Sequence, residues 1–138
     1  MKIGYTTGVF DLFHIGHLNI IKKAKKYCDY LIVGVTNDKL AYELKNKKPV
    51  IPFKERLEII RSIKYVDDAI EEKKDDKLLA HKKLKFKIIF KGSDWQNSKK
   101  WEIYKKDFKH LGVKVKFLKY TKKTSSTLIT GVLNKINK

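Results

Sequence analysis

The chain has 138 residues, 42% of them hydrophobic, and a formal charge of +18. That length fits one domain, residues 1–138, with a core that needs neither disulfides nor metals, and the hydrophobic content excludes a disordered chain. The single cysteine, Cys28, excludes an internal disulfide; no N-terminal signal-like run and no bilayer-spanning apolar run appears, so a cytoplasmic protein is expected.

In chain order, strand-like runs fall at Lys2–Thr7, Tyr30–Thr36, a short Asp68–Ile70, Phe86–Lys91 and Val113–Leu118. Between and after them, helical spacing predicts helices near Ile15–Tyr27, Asp38–Leu44, Pro52–Ile63, Asp75–Leu84, Ser98–Leu111 and Ser125–Ile136. Leu31-Ile32-Val33-Gly34-Val35 and Ile88-Ile89-Phe90 are continuous apolar runs, the pattern of strands buried on both faces of a parallel sheet. Strands separated by helices predict an α/β fold of Rossmann-like, doubly wound type, with a mainly five-stranded parallel sheet and helices on both faces. The lysine-bearing segment 43–49 is the expected mobile cover. Neither a G-x-G-x-x-G nor a G-x-x-x-x-G-K-[ST] pattern occurs.

The positive charge is almost all lysine, spread along the chain, with arginine only at 56 and 61. Nucleic-acid readers concentrate basic residues and interleave arginine or stacking aromatics, so a solvated surface is favoured here over a nucleic-acid site. The field still attracts anionic substrates.

The most informative stretch joins the first strand to the first helix: Gly8-Val9-Phe10-Asp11-Leu12-Phe13-His14-Ile15-Gly16-His17. Strand-to-helix junctions are where open α/β sheets bind phosphates. His14 and His17, three residues apart, lie on one face of a helix start, where imidazoles and backbone amides can converge on a triphosphate. Gly8 and Gly16 permit close approach of a ligand to the backbone. Spacing alone leaves two other readings open: half of a zinc site, for which no third ligand is suitably spaced, or simple polar residues at a helix start.

These residues resemble the G-x-F-D-x-x-H-x-G-H signature of the cytidylyltransferase family within the HxGH nucleotidyltransferases, and most of all its bacterial glycerol-3-phosphate cytidylyltransferases. The resemblance runs nearly the whole length, through Asp38 after the second strand, Arg56, Tyr65-Val66-Asp67, and Lys91-Gly92-Ser93-Asp94-Trp95. It implies transfer of CMP from CTP to a small phosphorylated alcohol, with glycerol 3-phosphate the first expectation, giving a CDP-alcohol and pyrophosphate. An adenylyltransferase or another sugar phosphate is the alternative.

The resemblance also implies residue roles. His14, His17, Lys45 and Ser126 would be catalytic. Thr7, Gly8, Val9, Phe10, Asp11, Gly16, Lys47, Gly92, Asp94, Trp95, Thr121, Ser125 and Thr127 would bind the nucleotide. Asp38, Arg56, Lys64 and Asp67 would bind the acceptor. Mg²⁺ would arrive with CTP, no residue being expected to hold a metal by itself, and a homodimer is implied. The chain departs from the family's R-T-E-G-I-S-T segment, carrying Tyr120 for arginine and Lys122 for glutamate. Lys64 stands where relatives often have arginine.

Overall fold

The computed structural model describes residues 1–119 together with residue 133. Five parallel strands form one sheet in the order β3-β2-β1-β4-β5: β1 Ile3–Gly8, β2 Tyr30–Thr36, β3 Asp68–Glu72, β4 Ile88–Gly92 and β5 Lys114–Leu118. The helices are α1 Ile15–Lys25, α2 Asp38–Lys45, α3 Phe53–Arg61, α4 Lys77–Leu84 and α5 Lys99–His110, with a short 3₁₀ turn at Ser93–Trp95. The expected parallel, doubly wound sheet is what the chain forms. The expected helix at Ser125–Ile136 lies outside the described residues, residue 133 aside.

Strand alternation divides the core. Leu31, Val33 and Val35 of β2 face α1 and α3, packing with Ile20, Ile21, Ile60 and Phe90. Ile32 faces the other way, with Tyr5, Ile89, Phe86, Trp101 and Phe108 under α4 and α5. Both faces being covered is why β2 reads as an unbroken apolar run. No helix among the described residues is long and apolar enough to cross a membrane.

Gly34 is the position where β2 has no room for a side chain. A Cβ there would stand 2.6 Å from the Tyr5 hydroxyl oxygen and 3.0 Å from Thr7 Cγ2. Gly34→Ala should therefore lower stability by about 1–3 kcal/mol through overpacking. Urea unfolding of the variant, alone and combined with Tyr5→Phe, checks this: part of the loss should return in the double variant, and an unchanged midpoint in the single one would contradict it.

The β1 junction points toward the carboxyl edge of the sheet. Both Phe10 and Leu12 take left-handed backbone (φ 54 and 49), so the chain reverses within a few residues before α1. Phe10 is buried, and a Cβ on Gly8 would lie 2.9 Å from its ring. Gly8 is thus required for the turn to fold back onto the strand end.

Candidate active site

α1 opens with an unusual cap. His14 is the N-cap residue, and its Nδ1 accepts the Gly16 amide at 3.1 Å. Reciprocally, His17 Nδ1 accepts the His14 amide at 3.3 Å. This is a capping box with two imidazoles in place of the usual hydroxyl and carboxamide or carboxylate. A ring nitrogen that accepts an N–H carries no proton, so both rings keep theirs on Nε2. The rings stack with centroids 3.9 Å apart. Burial, then the neighbouring His14 and Lys45 charges, lower the His17 pKa to about 4 against the pull of Asp11, and burial lowers that of His14. At neutral pH the pair therefore offers two neutral N–H donors. No acidic residue sits in the first turn of α1, while Lys22, Lys23 and Lys25 occupy the last, so its amino end stays attractive to anions.

The depressed His17 pKa has a stability consequence. The unfolded ring binds a proton near pH 6.5 and the folded ring only near 4, so between these values the unfolded state holds more protons. His17 contributes its full stability above about pH 6.5 and loses it as pH falls toward 4, at no more than about 1.4 kcal/mol per pH unit. Denaturant titrations between pH 7 and 4.5 should show a steeper loss for the wild-type protein than for His17→Gln, which keeps a capping side chain; equal slopes would contradict the assignment.

His17 lines a cleft of about 360 Å³ at the carboxyl edge of the sheet, together with Thr7, Gly8, Val9, Phe10 and Asp11. His14 lies ring on ring against His17 and is not part of the wall. Facing them, the end of α2 and the following loop supply Lys45, Lys47 and Lys48. Asn46 ends α2 in left-handed backbone (φ 52). Asp11 then ties the loop to the junction, its two oxygens accepting the Val50 and Ile51 amides at 2.8 and 2.9 Å. The imidazoles and the lysine loop thus belong to one braced unit.

The four residues expected to bind the acceptor are engaged within the protein or placed away from the cleft. Arg56 is buried at 1% exposure. It donates to the carbonyls of Ile51, Val9 and Thr36 and to Asp38 Oδ1, so its guanidinium is spent on joining the ends of β1 and β2 to the loop. Asp38 is likewise engaged, its second oxygen accepting the Phe53 amide. Asp67 and Lys64 precede β3, at the amino edge of the sheet and away from the cleft. There Asp67 accepts the Leu31 amide and the Lys25 ammonium, and the Lys64 ammonium stands over the Tyr65 ring.

Of the later motifs, Gly92 and Trp95 line the cleft, whereas Asp94 is exposed and outside its wall. Gly16 is buried in the first turn of α1. Thr121, Ser125, Ser126 and Thr127 lie outside the described residues, as do Tyr120 and Lys122.

Sequence reasoning missed the charged half of the cleft. Thr36, Glu72, Asp75, Lys77, Lys91, Lys100 and Trp101 also line it. Glu72 accepts from the Thr36 hydroxyl at 2.8 Å and from Lys77 Nζ at 2.6 Å. Lys77 also reaches Asp75 at 3.0 Å, and Lys100 pairs with the other Asp75 oxygen. Burial opposes the Lys77 charge, but Glu72 and Asp75 outweigh it and hold its pKa above the ordinary value. Lys91 makes no hydrogen-bonded ion pair among the described residues: burial, then the Lys77 charge, lower its pKa to about 8 against the pull of Glu72 and Asp75. The available signal was alternation, because Thr36, Glu72 and Lys91 each stand two residues past Gly34, Ile70 and Ile89 on the α4/α5 face.

Residues 5–132 match the family model described as cytidylyltransferase-like, and the chain belongs to that family. It is a nucleotidyltransferase. FAD synthase of Pyrococcus abyssi (strain GE5 / Orsay) is 36% identical over 113 residues, covering 81% of this chain and 75% of that protein. The bifunctional protein HldE of Helicobacter pylori (strain HPAG1) is 37% identical over 97 residues, 70% of this chain but only 21% of that protein. A crystal structure of the lipopolysaccharide core biosynthesis protein from Thermoplasma volcanium GSS1 superposes with a TM-score of 0.73 at 33% identity, covering 90% of this chain and 99% of that one.

Proposed function

We propose that the chain transfers a nucleotidyl group from a nucleoside triphosphate to the phosphate of a small phosphorylated acceptor, with ATP as the donor. The observation that carries the transfer is the pair of Nε2–H donors, locked by the capping box, next to a cleft that also holds the lysine loop. The similarity to FAD synthases favours the adenylyl donor, since FAD is AMP and a flavin phosphate joined by an anhydride bond between their two phosphates. A CTP donor is the second reading, favoured by the Gly8–His17 signature and the family's description. The names of these relatives do not point to glycerol 3-phosphate as the acceptor.

In this reading an acceptor phosphate oxygen attacks the α-phosphorus while the bond to the β-phosphate bridging oxygen breaks, and pyrophosphate leaves with the electron pair. A phosphate monoester is already largely dianionic at pH 7, so no general base is required. Charge builds on the non-bridging and leaving oxygens, where neutral imidazole donors and lysine ammoniums lower the barrier by electrostatic preorganisation. Because His17 is neutral well below pH 7, its donor capacity persists through the physiological range. Among the described residues no group of three or more histidine, cysteine or acidic side chains is placed to hold a metal. Mg²⁺ would enter on the triphosphate, neutralising part of its charge.

The test uses nucleotides labelled at the α-phosphate. Label should move from ATP into a nucleotidyl–acceptor product, one pyrophosphate per transfer, only when a phosphorylated acceptor is present. Preferential transfer from CTP would select the second reading; hydrolysis to the monophosphate without transfer would reject both.

A further inference from the structure

We propose that Lys91 is a covalent modification site, at which the side-chain amine takes an acyl group from small acyl phosphates that enter the cleft. This goes beyond nucleotidyl transfer and does not depend on it.

The lysines that line the cleft differ in what surrounds them. Lys77 and Lys100 are held as ammoniums by Glu72 and Asp75. Lys45, Lys47 and Lys48 are exposed. Lys91 shares neither condition. It is half-buried near the end of β4, its ammonium 4.9 Å from the Trp95 ring centroid and 5.8 Å from that of Trp101. Among the described residues no oxygen accepts a hydrogen bond from it. Indole faces attract a cation but give it no lone pair, and burial strips its water. Burial is the leading influence on its charge. Lys77 on α4 and Lys100 on α5 also oppose the ammonium, whereas Glu72 on β3 and Asp75 before α4 favour it. The balance leaves the pKa at about 8, so at pH 7.5 about a quarter of the molecules carry the free amine, roughly two-hundredfold more than for an ordinary lysine.

The opposite wall of the cleft selects the electrophile. The lysine loop makes it cationic, and its one carboxylate, Asp11, is turned onto the Val50 and Ile51 amides. Such a wall concentrates anions. A neutral electrophile gains nothing from that field and meets the exposed surface lysines on equal terms. An acyl phosphate joins both requirements in one molecule: a phosphate for the cationic wall and an electrophilic carbonyl for the amine. A cleft of about 360 Å³ admits it. In the step, the Nζ lone pair attacks the carbonyl carbon and a C–N bond forms. The bond from that carbon to the phosphate oxygen breaks, and phosphate leaves with the electron pair. The proton lost by the amine ends on the departing phosphate. The amide so formed is uncharged, so the half of the cleft under α4 and α5 loses its surplus cation while Glu72 and Asp75 remain.

The experiment treats the full chain with acetyl phosphate at pH 7.5, to less than one acetyl group per molecule, and reads every lysine by peptide mass spectrometry. Lys91 should be acetylated at least about tenfold faster than the exposed Lys22, Lys83 and Lys105. The advantage in free amine is larger, but a less basic amine is also a weaker nucleophile. The Lys91 rate should level off above about pH 8, while the rates of the exposed lysines go on rising through pH 9.5. Saturating inorganic phosphate should slow Lys91 and spare the others, and an uncharged N-hydroxysuccinimide ester should show a smaller preference for Lys91 than acetyl phosphate does. Acetylation of Lys91 no faster than the surface lysines would overturn the inference. So would a preference that phosphate leaves unchanged, or one equally strong with the uncharged ester. Labelling is read without any transfer reaction, so failure of this inference and failure of the transfer reading are seen separately.

Discussion

His17→Ala is expected to lower kcat by about 10²–10³-fold, the usual consequence of deleting one preorganised donor to a developing oxyanion. The same substitution removes one arm of the capping box, because His17 Nδ1 accepts the His14 amide, and so costs about 1 kcal/mol of stability as well. Activity and stability must therefore be separated. His14→Asn does so: asparagine is among the best N-cap residues and can accept the Gly16 amide as His14 Nδ1 does, but it has no counterpart of the Nε2–H. Single-turnover rates and melting temperatures measured together should find His14→Asn close to wild type in stability and strongly reduced in rate. If His14→Asn kept normal turnover, the His14 ring would be a cap and nothing more.

The second large effect is on folding. Arg56→Met should destabilise the protein by about 3–5 kcal/mol, a large share of a small domain's total. The guanidinium is fully buried, and its removal leaves the Val9, Thr36 and Ile51 carbonyls and the Asp38 carboxylate without their donor. Arg56→Lys should not rescue it, because one ammonium cannot reproduce a planar fork spanning four acceptors on separate segments. Chemical denaturation measures this directly. A loss below about 1 kcal/mol for Arg56→Met would mean that the clamp is replaceable and that Arg56 is free for ligand binding after all.

The sheet was legible in the sequence wherever local pattern decides structure. The Leu31–Val35 run placed β2 at its observed limits, Tyr30–Thr36, since both of its faces are covered. The apolar pattern of the third strand stops at Ile70, before two glutamates. The strand continues to Glu72, whose buried carboxylate is held by Thr36, 36 residues earlier, and by Lys77. Helix α4 was expected from Asp75, but Asp76 is its cap and Asp75 turns to the lysines.

The site divided along the same line. Position along the chain was enough to bring His17, Gly8, Lys45, Lys47 and Trp95 to one cleft, because the junction, the α2 loop and the end of β4 all emerge at the carboxyl edge. Burial was not legible. Arg56 sits on an amphipathic helix and invites a surface or ligand reading; only the paths of β1, β2 and the lysine loop reveal that carbonyls converge on it. Nor did the sequence announce the Glu72–Lys77–Asp75–Lys100 network, whose members are ordinary charged residues until tertiary packing brings them together.

The central claim, that two neutral imidazoles present Nε2–H groups to a triphosphate, is tested most directly by ¹⁵N NMR of the histidine rings during nucleotide titration at pH 7. Both Nδ1 signals should have the shift of an unprotonated acceptor and both Nε2 that of an N–H, and the nucleotide should move the Nε2 resonances of His14 and His17 while those of His81 and His110 stay in place. Rings protonated on Nδ1, or Nε2 resonances that ignore saturating nucleotide, would contradict it.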